Sequence, residues 1–351
     1  MDFYNATGNA RDLDPYFKPI TSNYFPFAYL LLFFVSLLGS LEDARQIYFV
    51  ALTSFFAFWC YRGLKVQSRP VSILNVVSIG LVSFPFLILL DRGNAEGLLF
   101  INLGLFFIYY KKGEPKLYIP LLASAIAMKL YPAVFLVYLL GDRKFKEILQ
   151  TLGIAAALTV GSAMLMVGGV ARTLEGLQRG LVYYRDEYVL LGAGRSFGHS
   201  LFGMLRVTRE AIFGSDWAPG VLEAFVSGWG YLTVLAFLGL TYLTLISRGK
   251  EWKKTAVFVL SFCLFPHVSP DYRMILLFLP FIQFLSDPEA EAGDLQYAVL
   301  IGLILVPKPF HYFGTSDTGI ATIVNPLLLA TLLILLCRDL WMSRSKTGWK
   351  I

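Results

Sequence analysis

The segment Trp229–Ile246 reads WGYLTVLAFLGLTYLTLI and contains no charged residue. Such a run approaches the roughly 20 residues that an α-helix needs to cross a hydrocarbon core about 30 Å thick. Comparable runs recur along the chain, each bounded by charged or Gly/Pro-rich sequence: Leu98–Tyr110, Leu152–Val170 and Ile323–Leu336. The sequence therefore predicts an all-α membrane protein.

The composition excludes an ordinary soluble domain. Only 15% of the 351 residues are charged, whereas soluble domains carry about 25%. A net charge of +6 would suggest nucleic acid as a partner of a soluble protein. Here the basic residues lie in short loops between apolar runs, where they indicate topology instead. We therefore expect the lipid bilayer, and no nucleic acid, as a partner.

Five short segments hold most of the positive charge, and the positive-inside rule places them in the cytoplasm: Arg62–Arg69, Lys111–Lys116, Arg143–Lys146, Arg248–Lys254 and Arg338–Lys350. The acidic loop Asp287–Asp294 falls on the same side. Because neighbouring inside loops need an even number of crossings between them, we expect about 11 transmembrane helices. The chain is then a multi-pass protein of the cytoplasmic membrane, with an external N-terminus and a cytoplasmic C-terminus.

The whole chain, 1–351, is predicted to form one membrane domain. Residues 1–45 are expected to supply an external loop and a juxtamembrane or re-entrant helix at 26–40, before a true span at 46–61. Residues 171–224 are expected to form a second large external loop. The three cysteines lie in or beside apolar spans, so we expect ordinary packing rather than disulfides.

Two interpretations are open for the segment between Lys116 and Arg143. Either two short helices meet at Lys129 on the outer face, or one long helix crosses with Lys129 reaching the interface. Pro132 favours the first, since proline disfavours helix at the preceding residue and suits the start of the next helix.

This topology collects polar residues on the non-cytoplasmic face: Arg92, Asn94, Glu96, Lys129, Arg195, His199, His267, Asp271, Arg273, Lys308 and His311. Ionisable groups at the ends of spans are costly unless they are paired or hydrated, so a one-sided set suggests function. The cations among them suit an anionic ligand such as a phosphate. The alternatives are interfacial snorkelling for the lysines and Arg273, and pairing with Arg92 for Glu96. The histidines are too dispersed for a local metal motif, so no cofactor is predicted, and a divalent metal is left open.

Several short motifs occur in a characteristic order: Met1–Ala6 (MDFYNA), Asp14–Tyr16 (DPY), Tyr24–Tyr29 (YFPFAY), Asp91–Glu96 (DRGNAE), Lys129–Pro132 (KLYP) and Ser269–Arg273 (SPDYR). This pattern resembles the integral-membrane glycosyltransferases of the GT-C superfamily, especially glycosyltransferase family 87, which includes polyprenyl-phosphate-mannose-dependent mannosyltransferases. The resemblance covers nearly the whole chain. It implies a polytopic GT-C helical bundle with external juxtamembrane helices, and about 12 spans if a helix before Asp2 is missing. The motif at 269–273 lacks the aromatic-histidine ending of the mannosyltransferase branch.

The resemblance implies transfer of a sugar from a polyprenyl-phosphate donor to a lipid or glycan acceptor at the non-cytoplasmic face, with inversion. An acidic residue of the first external loop would be the general base. That position matches Asp2, with Asp12 or Asp14 as fallbacks. Three cations would bind the donor phosphate: Lys129, Arg273 and Arg195. The substrate cavity would be lined by Asn94, Glu96, Tyr131, His199, His267, Asp271 and Tyr272.

Two other functions are open. A transporter or flippase of lipid-linked or anionic solutes would carry ionisable residues near the midplane, on broken helices in two matching halves. A non-catalytic scaffold would scatter its outer polar residues.

Overall fold

The computed structural model describes residues 2–18, 24–64, 77–78, 80–195, 198–287, 289, 291, 293–308 and 319–344. Some predicted features lie outside these residues. They are most of the basic loop 62–69, His311, and the end of the basic segment 338–350.

The described chain is helical, with no β-strand among the described residues. Its α-helices are α1 (Asp2–Ala10), α2 (Pro26–Ser36), α3 (Leu41–Leu64), α4 (Phe84–Arg92), α5 (Glu96–Lys111), α6 (Pro115–Met128), α7 (Leu136–Gly141), α8 (Phe145–Leu165), α9 (Gly169–Tyr183), α10 (Leu201–Phe213), α11 (Val221–Ile246), α12 (Glu251–Leu264), α13 (Phe278–Leu285), α14 (Asp294–Leu305) and α15 (Ala321–Met342). Short 3-10 helices cover Pro15–Phe17, Tyr131–Phe135 and Asp271–Leu277, and a π-helical turn covers Tyr184–Leu190. The prediction of an all-α chain is confirmed.

Three of these helices, α8, α11 and α15, are long and apolar enough to cross a membrane. Helices α2 and α3 would add a fourth span if they are counted together as one broken element. Their axes meet at 109°. This bend agrees with the expectation of two separate helices in the region 26–61. The total of about 11 spans stays a prediction.

The chain breaks at Lys129. Helix α6 ends at Met128, and the backbone of Lys129 is extended, with φ −152° and ψ 143°. A 3-10 helix then begins at Tyr131 with Pro132 in its first turn, where the missing proline N–H is not needed. The break between two short helices at Lys129 is therefore confirmed, and the interpretation with a single long helix is wrong. The position of this break on the outer face stays a prediction.

The segment 171–224, expected as a large loop, contains most of α9, the π-helical turn, α10 and the start of α11. Helix α9 buries small residues, and a Cβ atom on Gly176 would lie 2.3 Å from Cβ of Tyr16. The glycine therefore allows α9 to pack closely against the 3-10 turn at 15–17. The external position of this segment stays a prediction.

Two compact units make up the chain. The first comprises Met1–Trp59 with Ile88–Arg185, and the second comprises Cys60–Leu87 with Asp186–Ile351. Buried aromatic rings fill the first unit, as in the edge-to-face pair of Phe107 and Phe135 at 5.3 Å. In the second unit, α12 is buried along nearly its whole length. The single membrane domain stays a prediction.

An ionic cluster closes one end of the second unit. The buried Lys253, in the first turn of α12, has its Nζ atom 2.5 Å from Oε2 of Glu291 and 2.8 Å from Oδ2 of Asp339. Tyr297 donates a hydrogen bond to the same oxygen of Asp339 at 2.5 Å. Lys250 lies 3.3 Å from Oε1 of Glu291. These contacts join a basic loop, an acidic loop and the end of α15, as expected for segments on one side of a membrane.

Lys253→Met should destabilise the protein strongly. The substitution keeps the volume of the side chain but leaves Asp339 and Glu291 without their buried cation, which costs about 3–5 kcal/mol. We expect the thermal unfolding midpoint in detergent to fall by several degrees. Lys146→Met is the matched control, because Lys146 is an exposed lysine on α8. Equal midpoints for the two variants would contradict a structural role for the Lys253 pairs.

Acid should weaken the same cluster. The hydrogen bond from Lys253 holds the pKa of Glu291 below its ordinary value of 4.5. A lowered pKa in the folded state gives stability that is present above the unfolded pKa and is lost as pH falls through the folded one. The thermal unfolding midpoint of the wild-type protein should therefore decrease as the pH is lowered below about 4.5. The unfolding midpoint of Lys253→Met should decrease less over the same pH range. Parallel curves of midpoint against pH for the two proteins would refute the linkage.

Candidate active site

A buried carboxylate lies at the start of α5 in the first unit. The side chain of Glu96 is 0% exposed, and its Oε1 atom lies 2.7 Å from Nζ of Lys129. The hydroxyl of Tyr131 donates a hydrogen bond to Oε2. A buried carboxylate without a cation would cost several kcal/mol, so these two residues stabilise its charge. We call Asn94, Glu96, Lys129 and Tyr131 the Glu96 cluster.

Neighbouring polar and aromatic side chains fix this cluster in place. The buried Asn94 forms an Asx-turn, in which its side-chain oxygen accepts the backbone N–H of Glu96 at 3.1 Å. Tyr48 donates its hydroxyl to the carbonyl of Asn94 at 2.6 Å. The ammonium of Lys129 lies 4.9 Å from the centre of the Tyr24 ring, a cation–π distance. Both ends of the ion pair are thus held by the surrounding fold.

Helix α1 packs directly against the turn that precedes Glu96. Phe3 is 1% exposed, and its ring centre lies 5.5 Å from that of Tyr48. Gly93 has φ +62°, and a Cβ atom there would lie 2.5 Å from Cβ of Phe3. Asp2 belongs to the first turn of α1, next to this anchored phenylalanine. The side chain of Asp2 lies outside the described residues.

Cations hold the two other acidic residues of the first loop. Asp12 pairs with Lys18, and Asp14 lies 2.9 Å from NH2 of Arg172. Although burial raises the pKa of Asp12, the hydrogen bond from Lys18 holds it below its ordinary value. A carboxylate paired with a cation is a weaker base than an unpaired one.

A second polar group lies in the second unit. The side chain of His199 is 0% exposed, and its Nε2 atom lies 2.5 Å from Oδ1 of Asp271. This close contact does not have the geometry of a hydrogen bond. The Nδ1 atom lies 3.1 Å from Nδ2 of Asn325, on α15. The backbone N–H of His199 donates to the carbonyl of Ser269 at 2.9 Å. We call His199, Ser269, Asp271 and Asn325 the His199 cluster.

Three more predicted residues lie close together in sequence: His267 and Tyr272, expected to line the cavity, and Arg273, expected to bind the donor phosphate. Nε2 of His267 lies 2.9 Å from the carbonyl of Val226. Arg273 donates to the carbonyl of Phe262 at 3.1 Å, which satisfies an acceptor near the end of α12. Tyr272 is half-buried in the same 3-10 helix as Asp271 and Arg273.

Arg195 is one half of an ion pair. Its NH1 atom lies 3.0 Å from Oε2 of Glu210, whose other oxygen accepts from Arg206 at 2.8 Å and from Trp217 at 3.1 Å. Although burial raises the pKa of Glu210, these hydrogen bonds hold it below its ordinary value. Lys308 donates to the carbonyl of Leu303 at 2.5 Å, at the end of α14. Arg195 is therefore paired with a carboxylate, whereas the Lys308 ammonium is hydrogen-bonded to backbone carbonyls.

The structure thus groups the predicted residues within each unit. It brings Asn94, Glu96, Lys129 and Tyr131 together in one unit, and His199 and Asp271 together in the other. The prediction that all of them line one cavity stays a prediction. Among the described residues, no three His, Cys, Asp or Glu side chains are grouped as a metal site would need.

Sequence reasoning missed several partners: Tyr24, Tyr48, Glu210 and Asn325. Asn325 left a signal, because it is a polar amide inside the apolar run Ile323–Leu336. Tyr48 left none, since a tyrosine in an apolar helix is ordinary.

A comparison with protein-family models supplies the class of enzyme. The model of glycosyltransferase family 87 matches residues 23–270, most of the 351-residue chain. The matched range contains the whole Glu96 cluster and ends one residue before Asp271. No curated protein matches the chain. Because the match covers most of the chain, and because the chain is helical with apolar spans, the protein belongs to glycosyltransferase family 87.

Proposed function

We propose that this enzyme transfers a sugar, mannose or another hexose or pentose, from a polyprenyl-phosphate donor to a lipid or glycan acceptor. The reaction takes place at the non-cytoplasmic face of the cytoplasmic membrane and inverts the anomeric centre. The bundle is of GT-C type, with about 11 transmembrane helices, or about 12 with a further N-terminal helix. Family membership favours this activity over the transporter or scaffold alternatives.

One observation carries the proposal further than the family alone. Helix α1 is anchored beside the Glu96 cluster through Phe3, Gly93 and Tyr48. A general base must be held within hydrogen-bond reach of the proton it removes, and a loose chain end would not hold it. The buried Phe3 gives the first turn of α1 such a fixed position. Because Asp12 and Asp14 are engaged by cations, Asp2 is the proposed base.

The proposed chemistry is a single displacement. The acceptor hydroxyl attacks the anomeric carbon and gives its proton to the Asp2 carboxylate. The bond between the anomeric carbon and the phosphate oxygen breaks, and its electron pair leaves with the polyprenyl phosphate. Attack opposite the leaving group inverts the configuration.

Positioned cations lower the barrier by stabilising the charge that develops on the departing phosphate. We assign this role to Lys129, Arg273 and Arg195. Glu96 and Tyr131 keep the Lys129 ammonium at the break after α6. Asn94, Glu96, Tyr131, His199, His267, Asp271 and Tyr272 are the proposed substrate-cavity residues.

The activity is tested with the full chain in lipid nanodiscs. Radiolabelled polyprenyl-phosphate mannose and membrane lipids are supplied, and the label should appear in a lipid or glycan product. The anomeric configuration of the product, read by NMR, should be opposite to that of the donor. Failure to transfer sugar from mannosyl, other hexosyl and pentosyl donors would reject the proposal.

Asp2→Asn should lower kcat by about 10²- to 10⁴-fold, the usual contribution of a positioned general base. Asp12→Asn and Asp14→Asn are the comparison variants, and each should keep activity within about threefold, since their carboxylates serve ion pairs that are worth little individually. Transfer rates at saturating donor measure the difference. Full activity of Asp2→Asn together with loss of activity in Asp12→Asn would identify Asp12, and not Asp2, as the general base.

Gly93→Ala should impair transfer because the new Cβ atom displaces Phe3 and with it the first turn of α1. A displacement of about 1 Å can reduce catalysis by about 10²-fold. Gly113→Ala is a matched control: its φ of +69° is similar, but nothing lies within 4 Å of the added atom. Both alanines accept a left-handed backbone at a similar cost of about 1–2 kcal/mol. Equal activity in the two variants would show that the contact with Phe3 does not position the site.

A further inference from the structure

Asp271 is oriented by buried groups yet reaches the surface of its unit. Its side chain is 19% exposed, whereas the His199 side chain against its Oδ1 atom is 0% exposed. Among the described residues, Oδ2 of Asp271 has no hydrogen-bond partner. Oδ1 therefore lies against the buried ring of His199, and Oδ2 makes no hydrogen bond to the described part of the protein.

The partners of His199 fix where its proton lies. Asn325 is 1% exposed, and its amide nitrogen is 3.1 Å from Nδ1, so the amide N–H donates to that ring nitrogen. The proton of the neutral ring then resides on Nε2, which faces Asp271. This assignment follows from the network, because a carboxylate accepts hydrogen bonds and does not donate them. Asn325 thus fixes the orientation of the His199 ring, whose Nε2 atom lies against Oδ1 of Asp271.

Two further atoms of the His199 cluster lack a partner. The hydroxyl oxygen of Ser269 and the amide oxygen of Asn325 are buried and make no hydrogen bond within the described chain. An unsatisfied buried polar atom costs about 1–3 kcal/mol. A buried water molecule that bonds to these two atoms would offset that cost.

The charge of the Asp271 carboxylate limits the kinds of ligand group that it can bind. An ionised carboxylate accepts hydrogen bonds, and it repels phosphate because the two charges have the same sign. In a mannosyl phosphate or another neutral hexose or pentose unit, the groups that donate hydrogen bonds are hydroxyls. Neither His199 nor Asn325 is exposed enough to touch such a ligand, so they act through Asp271.

We propose that Asp271 accepts a hydrogen bond from a hydroxyl of the sugar substrate, and that His199 and Asn325 are positioning residues for its carboxylate. This inference rests on the proposed function, and it assigns roles to His199, inside the matched range 23–270, and to Asp271 and Asn325, beyond it. The hydroxyl belongs to the donor sugar or to a glycan acceptor, and two series of probes separate these sources.

The first test measures equilibrium binding to the full chain in nanodiscs. One series of probes is a short-chain isoprenyl-phosphate mannose with its monodeoxy analogues, and the other is methyl mannoside with its analogues. Removing the contacted hydroxyl should weaken wild-type binding about 10- to 100-fold, as expected for a hydrogen bond to a charged group. Asp271→Ala should bind the parent sugar more weakly than wild type by a similar factor. For this variant, removing the same hydroxyl should cause almost no further loss of affinity. The series in which the effects of Asp271→Ala and of hydroxyl removal are coupled shows whether the hydroxyl belongs to the donor sugar or to the acceptor.

The second test separates positioning from simple packing. His199→Gln places an amide N–H near the position of Nε2, so it should bind the parent sugar within about threefold of wild type. His199→Leu lacks that donor and should lose as much affinity as Asp271→Ala. Thermal unfolding confirms that each variant is folded. Equal loss in folded Gln and Leu variants would overturn the positioning role.

Other outcomes distinguish this inference from the proposed function. A loss in Asp271→Ala that is the same for every deoxy analogue would overturn the contact, even if the wild type transfers sugar normally. Absence of binding in both series would overturn it too. Hydroxyl-dependent binding through Asp271 without transfer from any donor would support the contact and reject only the proposed reaction.

Discussion

The need to pair every buried ionisable side chain governs this helical protein. Glu96 is held by Lys129, and Lys253 is held by Glu291 and Asp339. Removing one partner from such a pair costs about 3–5 kcal/mol, a large part of the stability of most domains. Each pair therefore favours one arrangement of segments that are distant in sequence. Apolar packing between helices is far less selective, because one aliphatic surface resembles another.

The second unit shows how such pairs mark the two ends of a helix. Asn325, near the start of α15, contacts His199, whereas Asp339, near its end, contacts Lys253. At 1.5 Å per residue, Asn325 and Asp339 lie about 21 Å apart along the helix axis. Buried leucines occupy the turns between them. An apolar layer between two polar layers is the arrangement that a membrane-spanning helix needs. The ionic cluster and the His199 cluster thus occupy opposite ends of α15.

Local features of the sequence were predictable, whereas partners were not. Apolar runs gave α8, α11 and α15, and Pro132 indicated the break at Lys129, because these effects act within one or two turns of chain. The helices of 171–224 were missed because an amphipathic helix has no long apolar run. The partner of Lys129 was also missed. A lysine at the end of a span looks the same in sequence whether it reaches the interface, binds phosphate or neutralises a carboxylate. Only tertiary packing, which brings α5 to the end of α6, decides between these roles.

The pairing of cations bears on how the proposed reaction would be catalysed. Lys129, Arg195 and Arg273 each donate to an acceptor of the protein: Glu96, Glu210 and the carbonyl of Phe262. A cation whose charge is partly offset attracts the resting phosphodiester less strongly than an isolated one. Its direction is nevertheless fixed before the substrate arrives, so no reorganisation is needed when negative charge grows on the leaving oxygen. Only interactions that strengthen in the transition state raise kcat. In the proposed reaction, partners that restrain these cations would thus weaken the binding of donor and product while preserving the stabilisation that accelerates transfer.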